Sequence, residues 1–219
     1  MNKLDPLEIV LSIVDPKYPS EIHIEDIVED MDLLKAAIKF AERNGLYYYF
    51  IHRLIELNPN LMLSDEEHER WNNELQKLPA LKNTFAFLSE MQLRDGIDYI
   101  LIKACTTIPH FPRDVDILVH IEDKEQIYDM FARDGMEIAY SNDVETAFNK
   151  EGYTKLDIYS KIQYIGMNFI DSEFLWNSKI EDEMFGIKYP SLNDEANFLL
   201  LLVHSIFGHR SMTLLDFLH

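Results

Sequence analysis

Through residues 1–95 the apolar positions recur at helical spacing, and from Asp98 they change to the spacing of strands. In EDIVEDMDLLKAAIKFAERNGL, residues Ile27, Met31, Leu34, Ile38 and Ala41 fall close to one helical face, and Asn44-Gly45 stops the run. LYYYFIHRLIEL predicts a second helix that ends near Asn58-Pro59. Ser64 with Glu67 forms a capping box for DEEHERWNNELQKL. Pro79 opens a further helix, ALKNTFAFLSEMQLRDG, terminated at Gly96.

Beyond that point DYILIKA reads as a short apolar strand and DVDILVHI as a second. DKEQIYDMFARDG predicts a helix capped by Gly135, followed by the strand MEIAYS. TKLDIYS alternates as a strand should, with QYIGMNFI pairing behind it. From Ser191 the pattern returns to helix, with Ser191 and Asp194 suited to an N-terminus and EANFLLLLVHSIF apolar enough to be buried. The organisation expected is a helical N-terminal region over 1–95, an α/β core over 96–190, and a C-terminal helix over 191–219 that packs on the core.

Composition narrows the function. Hydrophobic residues make up 47% of the 219, so a substantial core is available. The 39 acidic against 20 basic side chains give a net charge of −19, which repels phosphate backbones and disfavours long nucleic acid as a partner. A single cysteine, Cys105, excludes an internal disulfide and a Cys-rich zinc site. No apolar run reaches the roughly 18 residues that a spanning helix needs. Asp5, Glu8 and Asp15 break the apolar N-terminal stretch, so the chain reads as soluble and cytoplasmic, without membrane partners.

The residues with most chemistry are carboxylates on strands. Residues i and i+2 of a strand face the same way, so Val115, Ile117, Val119 and Ile121 form one apolar face of DVDILVHI. Asp114 and Asp116 share the other face, with Leu118 further along. Two like charges one pleat apart require a cation or a cluster of donors between them, and Mg²⁺ takes one or two carboxylates plus substrate phosphates. In TKLDIYS, Leu156 and Ile158 point to the core and leave Asp157 on the opposite face with Lys155 and Tyr159. If the two strands are neighbours, three carboxylates converge as a two-metal site for in-line phosphoryl transfer, with Asp157 helping to polarise the attacking hydroxyl. The plain alternative is an acidic strand end facing solvent.

The stretch YILIKACTTIPHFPRDVDILVHI resembles the signature of the DNA polymerase beta-like nucleotidyltransferase superfamily, and most closely that of its uncharacterised nucleotidyltransferase family. That pattern runs as Leu-Lys-Gly, a variable loop, Arg, and then Asp-Ile-Asp-Leu-Leu-Val. Lys103 stands at its Lys, Arg113 at its Arg, and Asp114 and Asp116 at its two metal positions. The family's turn offers Gly followed by Gly or Ser; here it reads Ala104-Cys105, with the hydroxyls of Thr106 and Thr107 behind it. Alanine does not adopt positive φ as cheaply as glycine. KFAERNGLYYYFIHRL also looks like the family's preceding segment, and His204, His209 and Asp216 match its closing helix.

The resemblance implies a nucleotidyltransferase palm, a mixed sheet backed by helices. It implies metal-dependent transfer of a nucleoside monophosphate from an NTP to a small-molecule or protein hydroxyl. Asp114, Asp116 and Asp157 would hold two Mg²⁺ ions, with Mn²⁺ an alternative, and Lys103, Ala104, Cys105, Thr106 and Arg113 would bind the nucleotide. A degenerate relative that binds nucleotide or a partner protein without catalysis, as an antitoxin-like regulator, is the second expectation. Lys103 has two roles open to it, neutralising a triphosphate or pairing with a nearby Asp. His204 contacts the site or satisfies a buried polar partner; five residues apart, it and His209 make a poor metal pair on a helix. Tyr47, Tyr48, Tyr49 and Trp71 either stack a base or belong to the core, which is the commoner use of helical aromatics.

Overall fold

The computed structural model describes residues 5–15, 17–18, 22–103, 111–164, 166–209 and 213. These fall into two compact units, a first through Leu75 and a second from Gln76 to His209. The first holds α1 (Pro6–Val14), α2 (Ile24–Glu29), α3 (Met31–Arg43), α4 (Tyr47–Leu57) and α5 (Asp65–Leu75). The segment expected as one helix across 25–46 is two, because the Asp30 side chain accepts from Asp32 N at 3.1 Å and Leu33 N at 3.0 Å. An Asp offered its own backbone donors competes with helix continuation and caps a new start. Ser64 caps α5 through Glu67 N at 3.3 Å, while the Glu67 carboxylate accepts instead from the Tyr47 hydroxyl at 2.9 Å. Tyr47 is thereby buried under α5 with the Arg70 guanidinium 4.3 Å over its ring, and Tyr48 stacks on Trp71 at 4.7 Å. These aromatics bind helix to helix.

The second unit begins with α6 (Lys77–Asp95), which ends where Gly96 takes φ 70 and its N–H bonds Gln92 O. A left-handed residue there is cheap only for glycine. Then follow β1 (Tyr99–Ile102), β2 (Asp114–Val119), α7 (Lys124–Arg133), β3 (Glu137–Ser141), β4 (Glu145–Asn149), β5 (Lys155–Tyr159), β6 (Ile162–Tyr164), β7 (Met167–Ile170), α8 (Ser172–Asn177), β8 (Lys179–Met184), β9 (Ile187–Leu192) and α9 (Asp194–Val203). One sheet runs β3-β4-β5-β2-β1-β9-β8. It is mixed: β2/β5 and β1/β9 are parallel and the remaining pairs antiparallel. The architecture is therefore the expected α/β, a mixed sheet backed by helices. No helix among the described residues is long and apolar enough to cross a membrane.

Strand alternation divides the core. Val115, Ile117 and Val119 of β2 with Leu156 and Ile158 of β5 face α6 and α7, where Phe85, Leu88 and Phe131 close over them. On the other face Leu118, Ile100 and Ile102 are covered by Leu175 of α8 and by Ala196 and Leu200 of α9. Ile121 departs from expectation: β2 ends at Val119, and Ile121 lies 65% exposed in a 3-10 turn. β6 and β7 also differ, since they pair with each other as a separate hairpin rather than behind β5.

A buried polar clasp sets the position of β5. Thr84 Oγ1, fully buried on α6, accepts from Thr154 N at 2.9 Å and lies 3.0 Å from Ala80 O as donor. Asn83 Nδ2 donates to Gly152 O at 2.9 Å. Thr84→Val keeps the shape and leaves the Thr154 N–H with its long 3.4 Å bond to Ala80 O, so it is expected to destabilise the fold by about 1–2 kcal/mol, read as a lower urea midpoint.

Candidate functional site

Parallel pairing of β2 with β5 sets Asp116 opposite Asp157 in register, with Val115 opposite Leu156 and Ile117 opposite Ile158. The apolar partners fill one core, so the two aspartates necessarily share the other face, joined by Asp114 two residues earlier. Toward Leu118 that face is covered by α8 and α9. At the Asp114 end β2 emerges, and Asp114 is 37% exposed, whereas Asp116 and Asp157 are buried, at 9% and 3%.

Two ammonium groups pair with the three carboxylates. Lys103 Nζ lies 2.9 Å from Asp116 Oδ1 and 3.4 Å from the Tyr159 hydroxyl, 4.6 Å over that ring. Lys155 Nζ bridges Asp157 Oδ2 at 2.7 Å and Asp114 Oδ2 at 3.1 Å. Lys103 leaves β1 with φ 56, a strained value for a residue with a Cβ. Of the two roles open to Lys103, pairing with an Asp is the one this geometry has. One polar atom stays unanswered: Asp157 Oδ1 is buried with no hydrogen-bond partner among the described residues.

Burial pushes the Asp157 carboxyl up to about 7, against the pull of Lys155 and with added repulsion from Glu145 and Asp116. Burial also raises Asp116, partly offset by Lys103. The Tyr159 hydroxyl is raised by burial and by the facing carboxylates of Asp116 and Glu145. For Lys155 burial acts downward, but its bonds to Asp157 and Asp114 outweigh it and the ammonium is held above its ordinary range. The site is an excess-anion cluster kept dry on one side.

Glu145 belongs to this cluster and is not visible in the strand pattern. It pairs across from Tyr159, two residues before Ala147, which pairs with Asp157, so it projects from the same face. Its carboxylate accepts from the Tyr140 hydroxyl of β3. Once β4 is placed beside β5, the i, i+2 rule finds Glu145; without β4 it has no signal.

The remaining predicted residues fall as follows. Arg113 is exposed one residue ahead of β2. Ala104, Cys105, Thr106, Thr107 and Asp216 lie outside the described residues, as does the side chain of His209. His204 is half-buried where α9 passes into a π-turn. It lines a cavity of about 70 Å³ that reaches Lys103 and Tyr159. A larger groove of about 810 Å³, between α6 and the β8–β9 hairpin, includes none of the carboxylates of this cluster.

The donor set suits a hard divalent cation in kind: carboxylate oxygens only, one of them buried and unbonded. As the side chains stand, no group of three His, Cys, Asp or Glu among the described residues forms a ready metal site. The lysines explain this, since Lys155 lies between Asp114 and Asp157 and Lys103 caps Asp116.

No family model matches the chain, and no curated protein matches it in sequence. Among solved structures, it is similar to the lincomycin-bound crystal structure of the lincosamide antibiotic adenylyltransferase LnuA. The TM-score is 0.46 at 18% identity, over 64% of this chain and 93% of that one.

Proposed function

We propose that the protein is a metal-dependent nucleotidyltransferase of the DNA polymerase beta-like kind, with the mixed sheet as its palm. It transfers a nucleoside monophosphate from an NTP to a hydroxyl on a small molecule or protein. The observation that carries the reading is the in-register pair Asp116–Asp157 on parallel neighbours, with Asp114 on the same face and an unanswered oxygen on Asp157. Asp114, Asp116 and Asp157 would hold two Mg²⁺, whose chemistry there would be to neutralise the phosphates and polarise the acceptor.

In the reaction, the acceptor oxygen bonds to the α-phosphorus as the bond to pyrophosphate breaks, and Asp157 is placed to receive the acceptor proton. Lys103 and Lys155, which pair with those carboxylates here, would be the nearest cations for the triphosphate. Arg113, with Ala104, Cys105 and Thr106 of the family-like segment, would receive the remaining phosphate charge. The acidic surface keeps long nucleic acid away.

One observation favours a second reading, a nucleotide-free binding or regulatory protein of antitoxin-like type. The two lysines already pair with each of the three carboxylates. Calorimetric titration with each NTP analogue, with and without Mg²⁺, separates the two. The transferase reading expects Mg²⁺-dependent nucleotide binding in the micromolar to millimolar range common for enzyme substrates. Absence of any such binding overturns it and leaves the second.

A further inference from the structure

The cavity that His204 lines lies on the carboxylate face of the sheet, and its composition speaks to what is modified there. Its walls are Ile162, Phe169, Leu200, Val203 and Phe207, with the Phe169 and Phe207 rings stacked at 4.2 Å. Its polar lining is Lys103, Tyr159, Gln163 and His204. Lys103 and Tyr159 also bound the carboxylate cluster: the same Lys103 Nζ that lines the cavity lies 2.9 Å from Asp116.

We propose that this cavity is the acceptor's anchoring pocket and that the acceptor is a small, neutral, amphipathic alcohol. Its branched alkyl group seats between α9 and β7, and its hydroxyl is delivered across Lys103 and Tyr159 toward Asp116 and Asp157. The inference rests on the transferase reading and adds to it the substrate class.

Three features select that occupant. The first is size. About 70 Å³ accommodates roughly five water-sized atoms, enough for a short branched alkyl group and too little for a six-membered ring or a purine. The second is charge. Among the described lining residues there is no carboxylate, and the ammonium of Lys103 is already taken by Asp116. A cationic amine seated there would be desolvated with no carboxylate in the described lining to pair with, at a cost that apolar contact does not offset. The third is shape. The walls are aliphatic and aromatic, and the polar groups line only part of the cavity, as in sites that bury an apolar body and orient one polar end.

The test uses the full chain with methyl-labelled Ile, Leu and Val and no nucleotide or metal. Isoamyl alcohol is the probe, isoamylamine its charged isostere, and adenosine the nucleobase control. Isoamyl alcohol is expected to shift the methyl resonances of Ile162, Leu200 and Val203, and of Val144, which also lines the cavity, with a Kd of about 1 mM, ordinary for a fragment of that size. The amine is expected to bind about tenfold more weakly, and adenosine to leave these methyls unmoved. Val203→Trp fills the cavity and should weaken the alcohol about tenfold. Phe207→Ala, at a partly exposed position, should weaken it severalfold and serves as the variant least able to disturb folding.

Unmoved methyls, an unchanged affinity in both variants, equal binding of the amine, or adenosine binding at these methyls would each overturn the proposal. The Mg²⁺–nucleotide titration reads the transferase reading separately. Nucleotide binding without alcohol binding sinks the pocket alone; alcohol binding without nucleotide binding sinks the transferase reading and leaves a small-molecule pocket.

Discussion

Asp116→Asn is expected to abolish metal-dependent nucleotide binding and to lower nucleotidyl transfer by about a thousandfold. Asp116 is the central carboxylate: it has Asp157 beside it in register, Asp114 two residues before it, and Lys103 at 2.9 Å. An amide in its place keeps volume and one acceptor oxygen but removes the charge that would hold a divalent ion. Preorganised charge of this kind typically accounts for about 10²–10³ in rate per group, and a lost metal ligand also removes the ion's own contribution. The measurements are calorimetric titration with Mg²⁺ and a non-hydrolysable NTP analogue, and pyrophosphate release with the acceptor class proposed above. The thermal midpoint of Asp116→Asn should fall, because the change leaves the buried Lys103 ammonium without its carboxylate, so binding is compared at a temperature where both proteins are folded. A variant that keeps parental Mg²⁺-dependent affinity would remove Asp116 from the site.

Much of this site was legible because it depends on short-range rules. Alternation alone put Asp114 and Asp116 on one face, and Leu156 and Ile158 around Asp157 gave that residue's direction. Which strands lie side by side is a long-range fact that alternation does not contain. β2 and β5 are separated in sequence by α7 and the β3–β4 hairpin, yet are direct neighbours. β4 was hidden because its ETAFN mixes small, charged and aromatic residues with no clear period, and with it went Glu145.

The β8–β9 hairpin was equally obscure. KIEDEM is too acidic to read as a strand, and β9 carries Pro190, which donates no ladder bond. The helix expected from Ser191 starts later for the same reason: β9 runs to Leu192, and Asn193 supplies the cap through Ala196 N at 2.9 Å. The counter-charge was half visible. Lys155 and Tyr159 were on the right face by parity, but a lysine's reach across two strands is a matter of rotamers that no periodicity encodes.

Asp157→Asn is expected to change how stability depends on pH, in a direction that the environment fixes. The native carboxyl titrates at about 7 against an ordinary 3.8. Below about pH 4 the group is protonated in both the native and the unfolded chain, and it contributes no slope. Between about 4 and 7 the native state keeps a proton that the unfolded chain has released, so raising the pH takes stability away; above about 7 the loss is complete. The raised pKa makes that loss of order 2–4 kcal/mol, and asparagine does not titrate. In chelator, the stability difference between Asp157→Asn and the parent should therefore move in the variant's favour by that amount from pH 4 to pH 8, measured by urea denaturation. Parallel pH curves would mean that Asp157 is not held neutral by burial. Mg²⁺ then distinguishes a metal ligand from a merely buried acid: bound to the ionised carboxylate, it should restore the parent's stability at pH 8 and leave Asp157→Asn unmoved.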